Sequence, residues 1–152
     1  MQNSELNQKE TDIRRFIADQ LSSAKTIAII GCSANPGRTS RRIAGYLKKN
    51  DYKIIPVNPN EESILGEHVY DSIEDIPESV SVDIVDIFRN KKYTADMVRE
   101  IVNRFKDNET KPLIWTQLDV SSDEAKRVAE ENDFEYIENR CIYVDHKNLV
   151  AQ

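Results

Sequence analysis

From residue 25 onward the chain alternates short apolar runs with stretches whose apolar residues recur every three or four positions. Thr26-Ile27-Ala28-Ile29-Ile30 is continuous and rich in β-branched side chains, the pattern of a strand buried on both faces of a parallel sheet. Residues 52–57, closed by Asn58-Pro59, and residues 82–87 repeat it, and 112–116 and 134–137 give shorter versions. Helical periods lie between these runs. Ile43 and Leu47 stand one turn apart within 40–49, where Lys48 and Lys49 occupy the end that favours cations. Met97, Val98, Ile101, Val102 and Phe105 follow a helical period behind Thr94, which predicts a helix capped by that threonine. Ser121 and Glu124 form a capping-box pattern for a further helix reaching Asn132. Ser72 opens a short helical turn that Pro77 stops. The run at 141–144 predicts a last strand. Residues 1–24 read as an amphipathic helix, with Leu6, Ile13, Phe16, Ile17 and Leu21 near one face, able to pack on its own sheet or on a partner.

Strands alternating with helices imply βαβ units, whose right-handed crossovers place helices on both faces of a parallel sheet. The fold class is therefore α/β, a doubly wound parallel sheet preceded by an N-terminal helix, with residues 25–152 forming one domain. Ligands of such sheets bind at the carboxyl ends of the strands, beside the switch point in strand order. That rule singles out residues 31–40, 56–59, 87–89 and 115–119.

Composition narrows the function classes. The chain has 152 residues, enough for one core, and a net charge of −6 from 21 Lys plus Arg against 27 Asp plus Glu. That balance argues against a nucleic-acid-coating or membrane-surface role. No apolar run is long enough to span a bilayer, and Met1-Gln2-Asn3-Ser4-Glu5 does not open a secretory signal. Cys32 and Cys141 make a poor disulfide framework and fit a reducing, cytoplasmic setting. No Cys-x-x-Cys or paired-histidine spacing suggests a metal site.

The loop Gly31-Cys32-Ser33-Ala34-Asn35-Pro36-Gly37-Arg38-Thr39-Ser40 follows the first strand and opens the first βα helix. A loop in this position offers backbone N–H groups and a positive helix end to an anion. Ser33, Thr39 and Ser40 add hydroxyls, and Arg38 and Arg41 add guanidinium groups shaped for phosphate oxygens. A phosphate or pyrophosphate ligand is the natural expectation, against a plain βα turn. A nicotinamide-dinucleotide fingerprint is not met. G-x-G-x-x-G would need Gly where Ser33 and Pro36 stand, and Val57-Asn58-Pro59 ends the second strand without an acid for the ribose. No Gly-Lys-Ser or Gly-Lys-Thr forms a P-loop.

Six blocks in order carry a resemblance: Gly31-Cys32-Ser33 through Ser40, Ile54 through Pro59, Ile64-Leu65-Gly66, Val85-Asp86-Ile87-Phe88-Arg89, Trp115-Thr116-Gln117-Leu118 and Asn139-Arg140-Cys141. Together they resemble the small CoA-binding proteins of the YccU-like kind, over residues 22–149. The resemblance implies a Rossmann-like domain similar to that of the succinyl-CoA synthetase α subunit, and coenzyme A or an acyl-CoA as ligand. By that resemblance Gly31, Cys32 and Ser33 meet the pyrophosphate through their amides, and Arg38, Ser40 and Arg41 complete the phosphate site. Arg41 or Arg42 reaches toward the ribose 3′-phosphate. Val57, Asn58 and Pro59 line the adenosine end, Phe88 and Arg89 flank the ligand, and Gln117 lies beside the pantetheine path. No complete reaction is expected of the chain alone, and a homo-oligomer or an acyl-CoA-metabolising partner protein is compatible with it.

One position departs from the family pattern. Asp119 stands where Trp-x-Gln-x-Gly has its glycine, and a carboxylate there is expected to narrow the groove or repel an anion. It favours the reading of a scaffold subunit with a vestigial pocket. A redox protein binding NAD(P) is the other rival. Cys32 at a helix start is read either as a thiol of lowered pKa or as a small residue filling a turn, with the turn favoured. Cys141 is expected as a buried thiol at a strand start, His146 at the surface or as a cap, and Trp115 in the core. Asp83 and Asp86, three apart on one strand, point to opposite faces and form no carboxylate pair.

Overall fold

The computed structural model describes residues 2–151. Its central sheet is five-stranded and wholly parallel. The strands are β1 (Thr26–Ile30), β2 (Lys53–Val57), β5 (Ile84–Ile87), β6 (Leu113–Thr116) and β7 (Tyr136–Ile137), in the order β2-β1-β5-β6-β7. Two short strands, β3 (Ser63–Ile64) and β4 (Glu67–His68), form a separate antiparallel hairpin after β2. The strand order reverses between β1 and β5, so the switch point lies at Gly31 and Phe88.

Helices cover both faces, as the alternating pattern requires. On one side α3 (Thr94–Phe105) and α4 (Asp123–Glu131) pack over Ala28, Ile30, Val85, Ile87 and Ile114. On the other, α1 (Gln2–Ser23), α2 (Thr39–Lys49) and α5 (Ile142–Leu149) cover Ile27, Ile29, Ile84, Leu113 and Trp115. Trp115 is fully buried and donates its indole N–H to the Arg140 carbonyl at 2.8 Å. The accessible surface, 8868 Å², exceeds the roughly 7,900 Å² typical of a compact chain of this mass. Residues 2–12 contribute to that excess, since every one of them is exposed.

Several local expectations are corrected. Residues 141–144 are no strand: α5 begins at Ile142, and Cys141 is its half-buried N-cap residue. Ile142, Asp145 and His146 all face inward at helical spacing. Two of the three are polar, which hid the period from a count of apolar residues. His146 is accordingly buried, its Nδ1 bonded to the Tyr46 hydroxyl at 2.8 Å. Ser122, not Ser121, caps α4 by accepting from the Ala125 N–H. Thr94 lies inside the first turn of α3 and donates its hydroxyl to the Val120 carbonyl instead of capping.

Candidate functional site

At the switch point the ends of β1, β2 and β5 and the start of α2 enclose an open cavity of about 670 Å³. Its walls are Gly31, Ser33, Gly37, Arg38, Thr39, Ser40, Asn58, Pro59, Asn60, Phe88 and Arg89. The volume falls within the range of small-molecule sites, roughly 300–1,000 Å³. The lining contains two guanidinium groups and no carboxylate, in a chain whose net charge is −6. The cavity is therefore an electropositive island at the place where a sheet of this topology takes its ligand.

The loop is built by close approach and by side chains that replace backbone partners. Gly31 has φ +80°, and a Cβ there would stand 2.6 Å from the Phe88 carbonyl oxygen. Only glycine lets β1 and β5 come this near. The Gly31 N–H donates to the Val57 carbonyl (2.9 Å), and the Asn58 side-chain amide donates to the Cys32 carbonyl (2.9 Å), binding the loop to the end of β2. Ser40 Oγ accepts from the Ser33 N–H, Ser33 Oγ from the Asn35 N–H, and Asn35 Oδ1 from the Gly37 N–H, each within 3.0 Å.

These bonds leave particular donors available. The amides of Gly31 and Ser33 are engaged inside the loop. The first-turn amides of α2, at Thr39, Ser40 and Arg41, have no intrahelical acceptor. Arg38 occupies the N-cap position and supplies no side-chain acceptor. An uncapped helix start with an arginine in the cap place suits an anion as the missing partner.

The expected site residues divide along these lines. Gly31, Ser33, Arg38, Ser40, Asn58, Pro59, Phe88 and Arg89 converge on the cavity. Val57 is buried and lines a small neighbouring cleft with Ile30, Pro59 and Met97. Cys32 does not line the cavity; its carbonyl accepts from the Asn58 side-chain amide. Its side chain is buried, and burial pushes the thiol up to about 11, the influence of Arg41 notwithstanding. The lowered-pKa reading is thereby corrected in favour of the turn-filling one. Arg41 points into a different groove on the outer face of α2. Gln117 is buried, and its Oε1 accepts from the Ile142 N–H (3.1 Å), fixing the start of α5. Thr39, whose hydroxyl the loop was expected to offer, and Gly37 of the same loop also line the cavity; Asn60 joins them without having been expected there. The helix begins at Thr39, one residue before the expected start.

Asp119 does not line this cavity. It adopts a left-handed conformation (φ 61°) in a separate polar depression, and its N–H donates to Asn139 Oδ1 at 3.1 Å. Backbone conformation explains a glycine at this position, and aspartate tolerates the same region. The expected narrowing of the groove is thus corrected.

A model of the CoA binding domain family matches residues 25–147. The chain belongs to that family. A relative of this chain is the uncharacterized protein YneT of Bacillus subtilis (strain 168). It is 30% identical over 130 residues, covering 86% of this chain and 91% of that one. The ADP-forming acetate–CoA ligase II of Archaeoglobus fulgidus is 43% identical over 63 residues, 40% of this chain but 9% of that protein. Among solved structures, a hypothetical protein from Pyrococcus horikoshii OT3 superposes with a TM-score of 0.81 at 31% identity, covering 90% of this chain and 92% of that one. No helix among the described residues is long and apolar enough to cross a membrane.

Proposed function

We propose that this CoA-binding domain holds coenzyme A or an acyl-CoA at the switch-point cavity, with the pyrophosphate at the start of α2. The observation that carries the reading is the uncapped α2 terminus flanked by Arg38 and Arg89, with no carboxylate in the lining. The open amides and the two guanidinium groups would share the phosphate charge through charge-assisted bonds. Asn58, Pro59 and Asn60 would meet the adenosine end, and Phe88 would flank the arm as it leaves toward β6. Gly31 and Ser33 would serve by shaping the loop, because their amides are already bonded.

The same lining favours binding over proton transfer. It holds hydroxyls, amides and guanidinium groups, with no carboxylate, imidazole or accessible thiol to act as acid, base or nucleophile. An NAD(P)-binding role is less well served, since Asn58 stands where a ribose-binding acid belongs.

Isothermal titration of the reduced protein with CoA, and separately with NAD⁺ and NADP⁺, tests the proposal. CoA binding that weakens at least about tenfold in Arg38→Glu, the equivalent of one charge-assisted bond, supports it. Nicotinamide-nucleotide binding without CoA binding would transfer the site to the redox reading, and silence with all three would leave a scaffold.

A further inference from the structure

The outer face of α2 carries a second groove, remote in character from the cavity. It is lined by Arg41, Arg42, Gly45, Tyr46, Lys48, Lys49 and Leu65, and its exposed surface is mostly apolar. An added Cβ at Gly45 would meet only Arg41 Nη1, at 3.9 Å, so the floor is open there. Four cations rim an apolar floor on a chain of net charge −6. Lys48 reaches Glu67 at 3.2 Å, and among the described residues Arg41, Arg42 and Lys49 have no carboxylate within ion-pair distance.

The start of α1 has complementary features. The stripe that buries Ile17 and Leu21 continues through Ile13 to Leu6, but Leu6 is 62% exposed. Residues 2–12, about three helical turns, are all exposed and so are not seated in the groove of their own chain. They carry Glu5, Glu10 and Asp12 against the single Lys9. Glu10 is held by Arg140 (3.1 Å), which fixes the direction of the overhang.

We propose that the overhanging start of α1 docks into the α2 groove of a second copy of this chain, and reciprocally, in a two-fold dimer. Leu6 would cover the apolar floor formed by Tyr46, Gly45 and Leu65, and the acidic flank of the helix would face Arg42 and Lys49. Opposite charge on two patches of one surface makes a self-complementary, closed pair, as isologous contacts require. It also gives two acidic chains a specific way to meet despite their overall repulsion.

Sedimentation velocity across a wide concentration range is the test. A reversible dimer is expected, weakening as salt is raised. Arg42→Glu with Lys49→Glu should weaken dimerisation at least about tenfold, as should Glu5→Lys with Asp12→Lys. Mixing the two doubly reversed proteins should restore pairing as a heterodimer. Gly45→Glu guards against misfolding as the cause: it removes a mid-helix glycine, so it should hold or raise the urea midpoint while blocking the groove. A chain that stays monomeric throughout would overturn the proposal. So would a dimer indifferent to both charge reversals and to Gly45→Glu.

Discussion

The Asn58 side-chain amide donates to the carbonyl of Cys32 at 2.9 Å, tying the residue after β2 to the loop after β1. Asn58 also accepts from the Asn60 N–H at 2.8 Å, so one side chain organises two walls of the cavity. Asn58→Ala should cost about 1 kcal/mol of stability, the usual worth of one such bond. Its effect on CoA affinity should be larger, because both walls loosen. Urea unfolding and titration on the same variant separate the two quantities. Equal small losses in both would show that the tie merely stabilises the fold.

Gly31 is constrained in two independent ways. Its φ is +80°, and an added Cβ would lie 2.6 Å from a backbone oxygen that cannot swing aside. Gly31→Ala is expected to destabilise by about 2 kcal/mol or more. Gly37→Ala in the same loop would meet only Asn35 Oδ1 at 3.3 Å, the tip of a side chain, and should stay within about 0.5 kcal/mol. Comparing the two midpoints checks whether close approach, and not loop flexibility, is what the first glycine provides.

The central strands and α3 were legible in the sequence because their residue types and spacing agree with their burial. Ile27, Ala28 and Ile29 face both layers, and Val98, Ile101, Val102 and Phe105 keep a helical period. The cavity loop was legible for the same reason, being fixed by its position after β1. What escaped depends on contacts between distant segments. Helix α5 hides its period because Asp145 and His146 point inward, where Asp145 meets Arg140 at 2.8 Å and His146 meets Tyr46. The direction of the Cys32 shift could not be read from a helix-end argument, since burial under the loop outweighs the nearby guanidinium. The resemblance put Gln117 beside the ligand path, and only the placement of α5 shows that its side chain also accepts from the Ile142 N–H.

His146 makes the docking of α5 sensitive to acid. Its imidazole is buried against Tyr46 and Tyr52, and burial lowers its pKa below the usual value of 6.5. The folded protein therefore prefers the neutral ring, and the unfolded chain takes up the proton first. The stability from the neutral ring is fully present above pH 6.5 and is lost as pH falls through the folded value. Urea midpoints should thus drop below about pH 6.5 in the wild type. In His146→Phe this part of the drop should be absent, with some stability lost at neutral pH because the Tyr46 hydroxyl loses its hydrogen-bond partner. An unchanged acid limb would remove the imidazole from the account.

Asp86 acts in the opposite sense. It sits mid-strand in β5, between Ile29 and Trp115 in register, with zero exposure and, among the described residues, no hydrogen-bond partner on either carboxylate oxygen. Removing a carboxylate from water without a counter-charge favours the neutral acid, so its pKa rises well above 3.8. Between the unfolded and folded pKa values the native state binds the extra proton, and stability then falls as pH rises. The neutral acid is still an unsatisfied buried group, which costs about 1–3 kcal/mol. Asp86→Leu, which removes the polar atoms from an apolar layer, should therefore raise the urea midpoint at every pH. The gain should be smallest near pH 4 and grow toward alkaline pH. Asp86→Asn should remove the pH slope without the full gain, because its amide remains buried. If both variants kept the wild-type slope above pH 4, another group would have to be binding the proton.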